Sequence, residues 1–311
     1  MSDGPQRCVV FGYGDMGVRG LNALLSLGLE VALVITHADD PGEALWYDSL
    51  QELVGWAGIP CITPADPNTP AVVEQIRVCA PDWVFSFYYR QILGAELLAI
   101  PGRGAYNLHG SLLPRYRGRA PTNWALIQGE VQTGVSLHRM VLQPDAGGLV
   151  ASAVCPILPN DTALAVFRKQ VCAAEALLLQ FVPDLLAGRH RETPLDLAAG
   201  SYFGRRCPQD GRIDWFRPAW VIHNLVRAVA PPFPGAFSDL PGGRLMVLGS
   251  HWTDTAAERP GPRLVWEEDS CWLDAVDGRR VRLTRLACDG EVLDRDRFER
   301  RFGADCMALG T

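Results

Sequence analysis

The first 110 residues alternate between short apolar runs and longer segments in which apolar side chains recur at helical spacing. The apolar runs predict strands at 8–12, 31–36, 82–87 and 104–109. The segments between them predict helices at 17–29, 45–57 and 71–78. Strands that alternate with helices in this way form a mostly parallel sheet covered on both faces. In such a sheet the chemistry collects at the carboxyl ends of the strands.

The pattern continues to about residue 186 and then changes. Residues 133–140 and 149–157 predict two more strands, and 161–186 predict a long helix that Asp161 and Thr162 can cap. After residue 200 one helix is predicted, at 219–229. Short strand candidates separated by Gly, Pro and Asp follow at 245–248, 264–266, 271–276 and 280–286. This texture is typical of a small β-rich domain and suggests a barrel.

We therefore expect two domains in the 311 residues, an α/β domain over 1–200 and a β-rich domain over 201–311. The composition, with 48% apolar and 21% charged residues, is ordinary for a globular enzyme. No apolar run reaches the roughly 18–20 residues that span a bilayer, and no secretory hydrophobic region precedes the first strand. Nine cysteines without C-x-x-C pairs indicate reduced thiols and no zinc site. We expect a cytoplasmic protein without membrane insertion.

A glycine-rich turn follows the first predicted strand. Gly12, Gly14 and Gly17 spell G-x-G-x-x-G between a strand and a helix, the context of a dinucleotide-binding turn. Asp39 and Asp40 lie at a suitable distance downstream to bind a ribose. On this pattern alone, an NAD(P)-dependent oxidoreductase is one interpretation, although a lone match to the motif is a weak signal. The alternative is that the first turn of an open α/β fold simply needs glycine to be tight.

The segment 106–150 holds a different set of polar residues. Asn107 and His109 are two positions apart on a predicted strand, so their side chains point to the same face. An asparagine amide can donate to an oxyanion, and a histidine can accept and return a proton. Asp145 could orient the imidazole and raise its pKa. Together these groups suit acyl transfer to an amine.

Each of these residues also has a structural interpretation. Taken singly, an asparagine at the end of a strand is more often a turn former, and a histidine more often a satisfied polar residue. Asp145 precedes Ala-Gly-Gly and would by itself indicate a turn. His138 and Arg139 lie on a predicted strand, and we interpret both as structural.

The string NLHGSLLPRYRGRAP, followed by TGVSLHRM and DAGG, resembles the folate-dependent formyltransferase family. The resemblance implies a Rossmann-like formyltransferase domain with a mostly parallel sheet, then a small β-barrel-like (OB-like) domain. It implies that Asn107 polarises the formyl oxygen, that His109 handles the proton of the attacking amine, and that Asp145 tunes His109. The cosubstrate would be 10-formyltetrahydrofolate, with no metal.

The resemblance also implies the location of the folate, along the segment after FYYR and along the loop that leads to the aspartate. The implied contacts are Gln91, Ile92, Leu93, Arg119, Val141, Leu142, Gln143 and Pro144. Apolar side chains with a few polar groups suit such a ligand. Arginines that could meet the phosphates of an acceptor are Arg117, Arg205 and Arg206. For the arginines of the 115–119 loop, the alternative interpretation is that they are solvated side chains without a ligand.

The acceptor is predicted to be a nucleotide-linked amino sugar. The segments FSFYYR, FGRRCPQDGRIDW and HNLVRAVAPPFPGAFS look most like the branch that formylates UDP-4-amino-4-deoxy-L-arabinose for lipid A modification. Other members act on methionyl-tRNA, but the loop after the second strand carries four acids and no Lys or Arg. These acids are Asp39, Asp40, Glu43 and Asp48. With a net charge of −6, this argues against nucleic acid as a partner. Another amino sugar or a hydroxyornithine-like amine stays open.

Overall fold

A computed structural model describes residues 5–39, 46–259, 261–303 and 306–309, the last without the side chains of 306–308. The chain forms two compact units. The first comprises residues up to Pro121 together with Thr133–Cys155 and Arg168–Phe203, and the second comprises Thr122–Gln132, Pro156–Phe167 and the described residues from Gly204 onward. The domain boundary expected at residue 200 stays a prediction.

The first unit is built around a seven-stranded sheet, and a two-stranded pair lies beside it. The strands of both are β1 (Arg7–Gly12), β2 (Glu30–Ile35), β3 (Cys61–Ile62), β4 (Trp83–Phe87), β5 (Gly104–His109), β6 (Arg117–Gly118), β7 (Gln132–Arg139), β8 (Leu149–Pro156) and β9 (Tyr202–Phe203). The order in the large sheet is β3-β2-β1-β4-β5-β7-β8. Pairs among β1 to β5 are parallel, whereas β7 is antiparallel to β5. The predicted mostly parallel sheet is confirmed.

Helices follow most of the strands. They are α1 (Gly14–Ser26), α2 (Leu50–Ala57), α3 (Pro70–Val78), α4 (Ala95–Leu98), α5 (Pro121–Ile127), α6 (Ala163–Leu186), α7 (Ala219–Val229) and α8 (Arg295–Phe302). Of the helix predicted over 45–57, residue 45 lies outside the described residues, and α2 begins at Leu50, where the Ser49 hydroxyl accepts the Glu52 N–H as an N-terminal cap. Helix α8 was not predicted, because its sequence RDRFERRF is charged and only Phe298 is buried in it.

The second unit contains an antiparallel sheet, as expected for the β-rich part of the chain. Its strands are β10 (Ala236–Leu240), β11 (Gly243–Ala256), β12 (Arg263–Glu267), β13 (Ser270–Asp274), β14 (Arg279–Cys288), β15 (Glu291–Leu293) and β16 (Cys306–Ala308). They are ordered β10-β11-β14-β13-β12-β16, with β15 paired to β14. The fully buried Asp274 forms ion pairs with Arg263 at 2.8 Å and with Arg280 at 2.9 Å. These pairs link the three adjacent strands β12, β13 and β14, and the buried carboxylate of Asp274 therefore has two positively charged partners.

The close packing of α1 on β4 requires a glycine at position 20. A Cβ at Gly20 would lie 2.4 Å from the ring of Phe87, which is fully buried. Since side chains in a packed core have little room to shift, only glycine permits this approach of the helix to the sheet.

Substituting Gly20 tests that contact. We expect Gly20→Ala to lower the free energy of unfolding by about 1–3 kcal/mol, because the added methyl group overpacks the core against Phe87. The measurement is the midpoint of denaturant unfolding at an unchanged slope.

Gly55 provides a matched control in the interior of α2. It is exposed, and nothing lies within 4 Å of its virtual Cβ. Gly55→Ala should therefore stabilise the protein by about 0.5–1 kcal/mol through helix propensity alone. Equal effects of the two substitutions would contradict the packing argument.

Candidate active site

The site begins with two cross-strand pairs between β5 and β7. Asn107 lies directly opposite His138, and His109 lies directly opposite Ser136. Directly opposite residues share a face of the sheet, so four polar side chains come together there. His109, Ser136 and His138 are buried, whereas Asn107 is half-buried. A buried polar group needs partners, and the surrounding loops supply them.

Asp145 lies in the turn that follows β7 and joins the two histidines. Its Oδ1 atom is 3.6 Å from His109 Nδ1 and 3.5 Å from His138 Nε2. Its Oδ2 atom accepts the Gly118 N–H at 2.8 Å. The predicted trio of Asn107, His109 and Asp145 is thus brought together. His138, which we interpreted as structural, lies between Asp145 and Asn107, with Nε2 3.1 Å from Asn107 Nδ2.

The loop between β5 and α5 closes over His109. The Tyr116 carbonyl lies 2.8 Å from His109 Nε2, and the Tyr116 N–H donates to the Ser201 hydroxyl at 2.8 Å. Beside it, β6 pairs in parallel with β9, and the Tyr116 and Phe203 rings stack at 5.2 Å. The segment around β9 therefore holds the loop against the imidazole.

Both histidines have one nitrogen whose role is fixed by a carbonyl group, which can only accept a hydrogen bond. His109 Nε2–H donates to Tyr116, so the nitrogen free to bind a proton is Nδ1, on the side of Asp145. His138 Nδ1–H donates to the Arg139 carbonyl at 2.9 Å. In neutral His138, Nε2 is then an acceptor and receives an N–H of Asn107.

The electrostatics of the site keep Asp145 ionised and His109 neutral. Burial lowers the pKa of His109, and the Asp145 carboxylate and the Tyr116 carbonyl offset only part of this effect. Burial alone would raise the pKa of Asp145. The two imidazoles and the Gly118 N–H outweigh it and lower that pKa to about 2. At neutral pH the site therefore holds an unprotonated imidazole nitrogen beside a carboxylate.

Several backbone positions around the site are strained. Non-glycine residues with positive φ include Tyr88 (59°), Tyr116 (57°), Ala120 (50°) and Asp145 (52°). Such conformations cost about 1–3 kcal/mol each and persist only where surrounding contacts impose them. Tyr116 and Asp145 both contact His109, so strained backbone coincides with two partners of the imidazole.

The residues expected to contact folate lie on two loops. Ile92, Val141 and Leu142 are exposed, with 60%, 41% and 65% of their surface accessible. Leu93 differs, because it is buried in the core of the first unit with Val9 and other apolar side chains. Gln143 is exposed and Pro144 half-buried. The exposed apolar residues leave a surface that a ligand could cover.

Two of the residues expected to contact folate are polar. Arg119 is exposed and donates to the Arg90 carbonyl at 3.1 Å, which joins the 117–119 segment to the one after β4. Gln91 donates through Nε2 to the Ala65 carbonyl at 2.6 Å. Its Oε1 atom is buried and has no hydrogen-bond partner in the described part of the chain. Gln91 Oε1 is thus an acceptor that a ligand could satisfy.

The arginines expected to bind phosphate are placed differently from one another. Arg117 is half-buried near the Tyr202 ring, and its Nε atom has no hydrogen-bond partner among the described residues. Arg205 is exposed. Arg206 lies over the Trp124 ring at 4.9 Å, and burial lowers its pKa. Arg117 belongs to the first unit, whereas Arg205 and Arg206 belong to the second.

The glycine-rich turn is explained by packing within the chain. A Cβ at Gly17 would lie 3.1 Å from the backbone carbon of Gly12, and one at Gly14 would lie 3.3 Å from the Tyr47 ring. The Tyr13 and Tyr47 hydroxyls contact each other in front of the turn. Gly14 also has a φ of 55°, which glycine adopts freely. These contacts favour the interpretation of a tight turn.

The acidic segment after β2 is described only in part. The Asp39 carboxylate accepts a hydrogen bond from the Ser49 hydroxyl, and the Asp48 N–H donates to Asp15 at 2.6 Å. Asp40 and Glu43 lie outside the described residues.

Two further expectations concern metals and membranes. Within residues 5–39, 46–259, 261–303 and 306–309, no cluster of three His, Cys, Asp or Glu side chains suits a metal ion. Over the same ranges, every helix is too short or too polar to cross a bilayer.

Comparison with solved structures shows the fold. An N-formyltransferase from Helicobacter canadensis in complex with folinic acid and dTDP-3-aminofucose is 20% identical, with a TM-score of 0.72 over 90% of this chain and 99% of that one. WlaRD, a sugar 3N-formyl transferase in the presence of dTDP and 5-N-formyl-THF, is 19% identical, with a TM-score of 0.72 over 92% and 98%. HypX from Aquifex aeolicus in complex with tetrahydrofolic acid is 18% identical, with a TM-score of 0.65 over 96% and 48%.

Comparison with family models shows the family. The formyl transferase model matches residues 6–182, and the model of the formyl transferase C-terminal domain matches residues 207–293. The first match spans more than half of the chain and includes Asn107, His109 and Asp145. The chain belongs to the formyl transferase family.

Proposed function

We propose that this chain transfers the formyl group of 10-formyltetrahydrofolate to the amine of a nucleotide-linked amino sugar. The observation that carries the proposal is the chain of contacts that runs from His109 through Asp145 and His138 to Asn107. It combines a basic nitrogen, an ionised carboxylate and an amide donor in a member of the formyl transferase family.

The residues around the site suit a folate. Exposed Ile92, Val141 and Leu142 would cover an apolar ring system, and the unpaired Oε1 of Gln91 would accept from a ring N–H. Arg119 would meet a carboxylate. Two of the similar solved structures contain folinic acid or 5-N-formyl-THF, which supports a folate as the donor.

In the proposed reaction, the acceptor nitrogen forms a bond to the formyl carbon, and the bond from that carbon to the folate nitrogen breaks. The carbonyl oxygen carries negative charge in the tetrahedral intermediate, and an N–H of Asn107 stabilises it. His109 Nδ1 accepts the proton that the amine loses and returns one to the departing folate nitrogen. Asp145 stabilises the imidazolium that exists between these two transfers.

For the acceptor, we propose UDP-4-amino-4-deoxy-L-arabinose. The support is the resemblance of FSFYYR, FGRRCPQDGRIDW and HNLVRAVAPPFPGAFS to the branch that uses this sugar. Arg117, Arg205 and Arg206 are the arginines proposed for its phosphates. Two of the similar structures contain dTDP or a dTDP-linked amino sugar, so a dTDP-linked acceptor is the second candidate.

The proposed function is tested by mixing the protein with 10-formyltetrahydrofolate and UDP-4-amino-4-deoxy-L-arabinose. The release of tetrahydrofolate is measured by its absorbance. We expect turnover, and we expect His109→Ala to lower kcat by about 10²–10⁴-fold because the proton acceptor is lost. Calorimetric binding of tetrahydrofolate should persist in His109→Ala.

His251→Ala is the matched control, since His251 is an exposed histidine of the second unit. It should leave kcat unchanged. Turnover only with a dTDP-linked amino sugar would show that this sugar, and not UDP-4-amino-4-deoxy-L-arabinose, is the acceptor. If no amino sugar, hydroxyornithine-like amine or methionyl-tRNA were formylated, the proposed reaction would be wrong. A fluorescence change on NADH titration would support the oxidoreductase alternative.

The pH dependence of kcat tests the role of Asp145. Burial lowers the pKa of His109 below its usual 6.5, so the basic form is present at neutral pH and is lost as pH falls through that pKa. Asp145 raises the pKa of His109, and its carboxylate stays ionised above about pH 2. Asp145→Asn should therefore move the acid limb of kcat to lower pH and lower the plateau by about 10- to 100-fold.

Asparagine keeps an oxygen for the Gly118 N–H and tolerates the positive φ at this position. The substitution therefore changes mainly the charge. An acid limb that stayed in place or moved to higher pH would show that Asp145 does not act on the pKa of His109.

A further inference from the structure

Asn107 presents an ambiguity that the proposed reaction must resolve. A primary amide carries an oxygen on one side and an NH₂ group on the other, and the two sides have nearly the same shape. Only the NH₂ side stabilises negative charge on the formyl oxygen. A half-turn of the side chain would place Asn107 Oδ1 there instead, and that oxygen would repel the developing charge. Some neighbouring group must select one orientation.

His138 is the neighbour in contact with this amide. Its Nε2 atom lies 3.1 Å from Asn107 Nδ2, and the two residues are directly opposite each other in the β5–β7 register. His138 is 1% exposed, so its ring is packed on all sides. The contact therefore follows from the strand pairing and does not depend on a mobile side chain.

The tautomer of His138 decides which side of the amide it accepts. Nδ1–H donates to the Arg139 carbonyl at 2.9 Å, so neutral His138 has only a lone pair at Nε2. That lone pair accepts an N–H from Asn107 but would repel Oδ1. Asp145 Oδ1, 3.5 Å from the same nitrogen, is the partner that a protonated Nε2 would have instead.

We propose that His138 is a positioning residue, which fixes the Asn107 amide so that its second N–H is available to the formyl oxygen. The inference rests on the proposed function. It adds a residue that acts through Asn107 and not on the reacting atoms.

A double-mutant cycle separates this role from a merely structural one. His138→Leu removes the acceptor at similar volume, and we expect it to lower kcat by about 100-fold with the KM values of both substrates within about threefold. In an Asn107→Ala background the same substitution should lower kcat by less than about threefold, because no amide is left to orient. Equal losses in both backgrounds, or an unchanged kcat in His138→Leu, would refute the proposal.

His138→Gln is the conservative variant. Its side-chain oxygen can accept the Asn107 N–H while its NH₂ group donates to the Arg139 carbonyl, so we expect at least a tenth of the wild-type kcat. If His138→Gln were as impaired as His138→Leu at a similar melting temperature, the acceptor would not be the property that matters, and the proposal would fail.

One measurement is independent of turnover. Long-range ¹H–¹⁵N correlation spectra of the wild-type protein report which ring nitrogen of His138 carries the proton. We expect a protonated Nδ1 and an unprotonated Nε2, and a neutral ring protonated at Nε2 would overturn the proposal whatever the acceptor is. Failure of the proposed function would show as absence of turnover in wild type, whereas failure of this inference alone would leave turnover and the Asn107→Ala loss intact.

Discussion

The register between β5 and β7 is the constraint on which the rest of the site depends. It places Asn107 opposite His138 and His109 opposite Ser136 on one face of the sheet. Because side chains alternate between faces, a slip of one residue would send half of this set to the other face. Tyr106 and Arg139 occupy that other face, where Arg139 donates to the Tyr106 hydroxyl and pairs with Glu192. Polar contacts on both faces thus favour the same register.

The loops around this pairing supply the partners of Asp145 and His109 that the two strands do not provide. A carboxylate with little exposure is costly unless it has partners. Asp145 Oδ2 accepts the Gly118 N–H, and Asp145 Oδ1 lies 3.6 Å from His109 Nδ1, the nitrogen that becomes positively charged when His109 is protonated. The backbone at Tyr116 and Asp145 adopts positive φ in making these contacts. The strained backbone thus places the Tyr116 carbonyl and the Asp145 carboxylate at the two ring nitrogens of His109.

Much of this arrangement could be predicted from sequence, and the limits have physical reasons. The period of two along a strand places Asn107 and His109 on one face, and the prediction of a strand over 104–109 is confirmed. His138 could not be assigned to the site, because its partner depends on a register between strands that the sequence does not reveal. The Tyr116 carbonyl leaves no sequence signal at all, since every residue has one. Two-residue strands such as β6 and β9 are too short to show any period.

The pairing of β6 with β9 determines when, during synthesis of the chain, the 116–119 loop can form its backbone hydrogen bonds. The Ser201 hydroxyl and carbonyl and the Phe203 carbonyl receive the backbone N–H groups of Tyr116, Arg117 and Arg119. A nascent chain whose residues 201–203 are still inside the ribosome lacks these acceptors, although β5 and β7 have already been synthesised. The loop that carries the acceptor for His109 Nε2 therefore gains these hydrogen bonds late in translation, after residues 201–203 have left the ribosome.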